Sequence, residues 1–178
     1  MTVITLPKNF DDIETPTLLE DDYYQMRLVK APEVLPNAVL KAFAKERGIK
    51  DFQAALASAL AEDYTSDEGK YPGFNLVLSL RTVHDDPMIN GRAFKRYLSL
   101  PNDGDRKRVI GTGQTSEDFK MSQLMAELSA FLGGPPSGNE VELEPGMMAE
   151  YYVTTQASLR DPNRLENTID MNSVPQAV

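Results

Sequence analysis

Basic residues are concentrated in one segment of an otherwise acidic chain of 178 residues. Between positions 81 and 108 there are seven basic residues and four acidic ones, a local net charge of +3. The whole chain has a formal net charge of -9, which leaves -12 for the remainder. Tyr97 lies among the cations. Because lysine and arginine bind phosphates and aromatic rings stack on unpaired bases, this composition is suited to single-stranded nucleic acid.

Groups that perform covalent or metal chemistry are scarce. The chain has no cysteine and one histidine, His84, which excludes disulfides, thiolate catalysis and zinc sites built from Cys and His. Any Ser-His-Asp arrangement would need His84 as its base, and no G-x-S-x-G motif accompanies it. Asp85 and Asp86 suit a divalent cation, but two acids before Pro87 are more typical of a turn. We therefore predict no catalytic residue, no metal, no cofactor and no enzymatic activity.

Alternating polar and apolar residues predict the strands that must position the basic side chains. The first predicted strand covers residues 23–31, the second residues 74–84 and the third residues 92–100. Asn90 and Gly91 supply the turn that pairs the second and third strands as a hairpin. All three strands have one apolar and one polar face.

The parity of these strands predicts which side chains share a face. Arg27, Arg81, Lys95 and Tyr97 fall on the polar outer face, whereas Arg96 falls on the apolar face unless a β-bulge re-aims it. The alternative is an ordinary solvated strand face with surface salt bridges. The predicted DNA-binding residues are Arg27, Arg81, Arg92, Lys95, Arg96, Tyr97, Arg106, Lys107 and Arg108.

The remaining elements predict an α+β, mainly β fold. A helix starts at Thr115, whose spacing from Asp118 matches a capping box, and strands follow at 147–156 and 165–170. Two short helices occupy an insertion at about 35–63. This order predicts a five-stranded OB-fold-like barrel, with one helix between strands three and four and the helical insertion between strands one and two.

The ends of the chain differ in composition from its middle. We predict an extended acidic N-terminal arm over residues 1–22, a single domain over residues 23–170 and a polar C-terminal tail over residues 171–178. No apolar run approaches the roughly 20 residues that a membrane-spanning helix needs. The start of the chain also lacks the pattern of a signal peptide, so we predict a cytoplasmic protein without a membrane partner.

Four segments, in this order along the chain, resemble a family of small phage-encoded proteins. They are residues 23–31, the hairpin at 74–100, the end of the helix at 128–133 and the segment 163–169. Members of this family lie beside recombination and replication genes and are regarded as OB-fold, single-stranded-DNA-binding-like proteins. The resemblance covers about two thirds of the chain.

The resemblance implies a non-enzymatic protein that binds single-stranded DNA in phage DNA replication or recombination, in the host cytoplasm. Its expected partners are single-stranded DNA, further copies of the chain and phage recombination or replication proteins. The chain departs from the family in its helical insertion and in having no acid among residues 172–178. The alternative is a phage virion or assembly protein that uses a small β-barrel to contact other proteins.

Overall fold

Six strands form one antiparallel sheet, and three α-helices complete an α+β fold. The computed structural model describes residues 17–178, so the first 16 residues of the predicted acidic arm lie outside the described residues. The elements are β1 (Asp22–Leu28), β2 (Glu33–Pro36), α1 (Ala38–Arg47), α2 (Phe52–Ala61), β3 (Phe74–Thr82), β4 (Ala93–Ser99), a 3-10 helix (Asp103–Lys107), α3 (Ser116–Leu132), β5 (Met148–Ala157) and β6 (Leu165–Ile169).

The long strand β3 organises the sheet. Along one edge its first four residues pair with β2 and its last three pair with β1, while its other edge pairs with β4. The sheet continues from β1 to β5 and from β5 to β6. Cα atoms of β4 and β6 approach within 8 Å, but these two strands do not pair in the described part of the chain, so the sheet is open.

The predicted α+β class is confirmed, and the predicted strands agree with β1, β3, β4, β5 and β6 to within three residues. The prediction of five strands is wrong, because β2 is a sixth strand. The helices α1 and α2 therefore follow the second strand, and the closure of a barrel is not seen between the described strands. A strand of four residues, with Val34 and Leu35 both exposed, has no alternating pattern that would predict it.

Capping residues define α1 and α2. The Asn37 side chain accepts a hydrogen bond from the backbone N–H of Leu40, and Asp51 does the same for Gln53 and Ala54 at the start of α2. Gly48 ends α1 with φ +66, a conformation that glycine adopts without strain. The two helices bury a small apolar cluster of their own: Leu40, Phe43, Ala44, Ala55, Leu56 and Ala59.

The main core lies between the inner face of the sheet and α3. Thr115 caps this helix by accepting a hydrogen bond from the backbone N–H of Asp118, and Gly133 ends it. The main core consists of Leu19, Met26, Leu28, Leu78, Leu80, Leu98, Ala130, Phe131, Leu143, Ala149, Tyr151, Val153 and Ile169. Because α3 covers the inner face, side chains of opposite parity on β1, β3 and β4 point away from the main core.

Two further features concern the ends and the surface of the chain. Gln176, in the predicted polar tail, pairs with Glu150 of β5 through two backbone hydrogen bonds. Among residues 17–178, no helix has the length and apolar character that a membrane crossing requires.

Candidate nucleic-acid interface

The pairing of three strands brings four of the predicted residues onto one surface. Arg27 lies opposite Arg81, and along β4 the residues Lys95 and Tyr97 lie opposite β3 residues of the same face as Arg81. With strands about 4.8 Å apart and residues about 3.4 Å apart along each strand, these side chains occupy roughly 10 by 14 Å of the sheet. We refer to this group as the cationic face: Arg27, Arg81, Lys95 and Tyr97.

All four side chains of the cationic face are exposed, and Tyr97 has 58% of its surface accessible. Within the described part of the chain, none of the three cations forms a salt bridge. Arg81 donates a hydrogen bond of 3.1 Å from Nη1 to the backbone oxygen of Gly91. An uncharged carbonyl orients the guanidinium without neutralising it, so the positive charge stays available to an anionic ligand.

The floor of the cationic face is made of small buried residues. Val77 lies opposite Tyr97, and Ser79 lies opposite Lys95, in the register of β3 with β4. Both are buried, with Val77 only 2% exposed. The longer cationic and aromatic side chains therefore surround a shallow depression. A flat base and its backbone can lie across a surface of this shape.

The structure places Arg96 away from the cationic face. β4 pairs with β3 in continuous register from Ala93 to Ser99, without a β-bulge, so Arg96 points inward and is 8% exposed. Its Nε lies 3.3 Å from Oε2 of Glu127 on α3. Arg96 was predicted to bind DNA, but its charge is buried and paired inside the protein.

Arg92 occupies a different surface from the cationic face. Its Nε donates a hydrogen bond of 2.9 Å to the backbone oxygen of Met88. The side chain borders a groove of about 660 Å³ between β4 and β6, whose other walls include Phe94, Arg164 and Leu165. Arg92 is thus separated from Arg81, although both flank the same hairpin turn.

The basic run at 106–108 is largely paired with acids. Arg106 lies 2.9 Å from Glu117 and 3.6 Å from Asp103. Arg108 lies 3.4 Å from Asp105, and its guanidinium is 3.4 Å from the centre of the Tyr71 ring. Lys107 is exposed and forms no salt bridge with the described residues.

The buried carboxylate of Asp105 holds the basic run at 106–108 in place. The carboxylate is completely buried and accepts hydrogen bonds from Ser116 at 2.7 Å, from the backbone N–H of Asn102 at 2.8 Å and from Lys120 at 3.0 Å. The acids at positions 103 and 105 each lie three residues before an arginine, a spacing typical of ion pairs in a helical turn. That spacing is visible in the sequence and indicates a structural role for Arg106 and Arg108.

A second buried polar cluster joins the sheet to α3. Glu127, 1% exposed, faces Arg96 and accepts a hydrogen bond from the Tyr151 hydroxyl. Burial raises the pKa of Glu127, against the opposing effects of Arg96 and Tyr151. Burial also raises the pKa of Tyr151, and the neighbouring Glu127 carboxylate adds to the shift. Because all three side chains are enclosed, this cluster is suited to holding α3 on the sheet.

The loop that contains His84 offers oxygen and nitrogen ligands beside a cavity, but the described residues do not group them into a cation site. His84 and Asp85 border a cavity of about 480 Å³ together with Asp22, Tyr23 and Glu150. Over residues 17–178, no three His, Asp or Glu side chains are grouped closely enough to hold a metal ion.

Comparisons of the chain with protein-family models, with curated proteins and with solved structures found no match. The resemblance to phage single-stranded-DNA-binding-like proteins therefore stays a prediction.

Proposed function

We propose that this protein binds single-stranded DNA on the cationic face and catalyses no reaction. The observation that carries the proposal is the presence of Arg27, Arg81, Lys95 and Tyr97 on one exposed sheet face, with cations that have no acidic partner among the described residues. Cations that follow a phosphate backbone and a ring that stacks on a base are the two components of sequence-tolerant binding.

The connectivity of the sheet supports an OB-fold-like barrel as the scaffold. Without β2, the strand order is β4-β3-β1-β5-β6, and α3 lies between β4 and β5. This is the order expected when a five-stranded barrel closes between its third and fifth strands, here β4 and β6. OB-folds bind oligonucleotides on strands two and three, which correspond to β3 and β4.

The proposal extends to the biological setting through the resemblance of four segments. We infer a role in phage DNA replication or recombination, in the host cytoplasm, with residues 23–170 acting as one domain. The proposed further partners are other copies of the chain and phage replication or recombination proteins.

Titration of a fluorescent oligothymidine at 50 mM and 200 mM salt tests the proposal. Each phosphate contact contributes about -0.7 to the slope of log affinity against log salt for a single strand, so three contacts predict a loss of about 20-fold over this range. The double variant Arg81→Glu/Lys95→Glu is expected to weaken binding at 50 mM salt by at least about tenfold, because it replaces two attractive charges with repulsive ones.

A matched control reverses two exposed lysines of the helical insertion. Lys41→Glu/Lys50→Glu makes the same change in net charge, and neither lysine forms a salt bridge with a described residue. Equal weakening by both double variants would show that net charge, and not the cationic face, governs binding. No binding of the unaltered protein at 50 mM salt would contradict the proposal and favour the virion or assembly role.

Tyr97→Ala tests base stacking separately from charge. Loss of a stacked base costs about 1–3 kcal/mol, which is about a 5- to 150-fold loss in affinity. Tyr97→Phe keeps the ring and is expected to retain most of the affinity. Because Tyr97 is largely exposed, both variants should unfold at nearly the same temperature as the unaltered protein. An affinity for oligothymidine that Tyr97→Ala leaves unchanged would exclude Tyr97 as the stacking residue.

A further inference from the structure

An acidic side chain lies at the edge of the cationic face. Glu33 of β2 is paired in register with Val77 of β3, which in turn lies opposite Tyr97 of β4. Glu33 and Tyr97 therefore flank the same buried residue from opposite sides, about 10 Å apart across two strand spacings. A carboxylate at this position faces the path on which the proposed DNA strand would lie.

The ammonium group of Lys30 holds the Glu33 carboxylate in this position. Lys30 donates from Nζ to Oε2 of Glu33 at 2.7 Å, and both side chains are about half exposed. The hydrogen bond and charge of Lys30 lower the pKa of Glu33, and the charge of Lys95 lowers it further. Lys30 lies in the connection between β1 and β2 and contacts Glu33 directly. Lys95 lies across β3 on the same face, opposite Ser79, two residues from the Val77 that pairs with Glu33.

We propose that Lys30, together with Lys95 of the cationic face, forms a binding site for one backbone phosphate of single-stranded DNA, and that in the free protein the Glu33 carboxylate pairs with the Lys30 half of this site. This inference rests on the proposed function. A carboxylate and a phosphate are both oxyanions that accept charge-assisted hydrogen bonds from an ammonium group. In the complex, the phosphate replaces Glu33 as the partner of Lys30.

The displacement of Glu33 is energetically feasible. An exposed ion pair of a flexible lysine with a carboxylate contributes little to stability, because solvent screens the charges and two side chains lose freedom. The nucleotide stacked on Tyr97 brings its own phosphate close to Lys95, so little rearrangement is needed. Glu33 then remains as a repulsive charge beside the DNA, which limits the affinity of the whole face.

Glu33→Gln is the decisive variant, with the same fluorescent oligothymidine as the probe. It removes both the competitor and the repulsion, so affinity at 50 mM salt is expected to rise about threefold to fivefold. The slope of log affinity against log salt should steepen by about 0.7, because in the unaltered protein the released Glu33 carboxylate takes up a cation that offsets the phosphate contact of Lys30, and the variant lacks this carboxylate. Lys30→Gln is expected to weaken binding by a similar factor.

Glu46→Gln on α1 is the matched control, since it makes the same charge change at an exposed position without a salt bridge among the described residues. The control is expected to leave both affinity and salt slope unchanged. The inference fails, while the proposed function stands, if the unaltered protein binds and Glu33→Gln shows the same affinity and the same salt slope as the unaltered protein. The inference also fails if Glu33→Gln and the Glu46→Gln control change affinity and slope equally. If neither the unaltered protein nor Glu33→Gln binds, the proposed function itself fails. A thermal unfolding curve for each variant confirms that it is folded.

Discussion

Arg96→Met is expected to lower the free energy of unfolding by about 3–5 kcal/mol. The variant fills the same space with an unbranched apolar side chain but leaves Glu127 buried without its cation. The Tyr151 hydroxyl is then the remaining side-chain partner of that carboxylate among the described residues. An unpaired buried charge is much more costly than the pair it comes from, because desolvation is no longer compensated. Urea denaturation of the variant and the unaltered protein measures the difference.

The double variant Arg96→Met/Glu127→Leu separates charge pairing from packing. It removes both charges and should recover most of the lost stability, since apolar replacements of a buried ion pair are often neutral or better. The Tyr151 hydroxyl loses its acceptor in this variant, so adding Tyr151→Phe should recover part of the remainder. A loss below about 1 kcal/mol in Arg96→Met would contradict the assignment of Arg96 as the compensating charge of Glu127.

The pH dependence of the same variant gives an independent check. Burial raises the pKa of Glu127 above its ordinary value of 4.5, and Arg96 works against that shift. The folded state therefore keeps the proton at pH values where the unfolded chain has lost it, and the contribution of Glu127 to stability falls as the pH rises. Without Arg96 the pKa of Glu127 rises further. The stability lost in Arg96→Met should consequently be larger at pH 7 than at pH 5.

The strands of the sheet could be predicted because each has one face against the core. β3 shows why: Leu78 and Leu80 are buried in the main core, and the Arg81 between Leu80 and Thr82 is exposed. The same alternation correctly predicts that Arg27, Arg81, Lys95 and Tyr97 lie on one outer face, since side-chain parity follows directly from the strand. β2 lacks this information, because a four-residue edge strand with exposed apolar residues alternates too briefly to be recognised.

The pairing partner of Arg96 could not be predicted from the alternation of side chains along its strand alone. Arg96 and Glu127 are 31 positions apart, on a strand and a helix that meet only in the folded molecule. One pattern does point to them: Glu127 lies within the apolar stripe of α3, three residues after Leu124 and four before Phe131. An acid in a buried helix stripe and a cation in a buried strand face are complementary, which favours an internal ion pair over an outward-facing Arg96.

Asp105→Asn is expected to lower the free energy of unfolding by about 3 kcal/mol, because it removes the charge that compensates two partly buried cations. Lys120 lies 2.9 Å and Arg108 3.4 Å from the Asp105 carboxylate, which joins the 3-10 helix to the first turns of α3. The exposed Asp103→Asn is the matched control: it removes only the solvent-screened contact with Arg106 and should change stability little. Equal losses in the two variants would contradict the role given to Asp105.

The free energy of unfolding measured at decreasing pH separates the contribution of the Asp105 charge from that of its side-chain packing. Burial disfavours ionisation of this carboxyl, but hydrogen bonds from Ser116, from the backbone N–H of Asn102 and from Lys120 outweigh it and hold the pKa below its ordinary value of 3.8. The stabilisation is therefore complete above that ordinary value and is lost as the pH falls through the lower folded value. The gap between the unaltered protein and Asp105→Asn should be constant from pH 7 to about pH 5 and should narrow below about pH 4. Oligothymidine binding by the folded variant should stay unchanged at pH 7, since Asp105 anchors Arg108 and Lys120 and does not contribute to the cationic face.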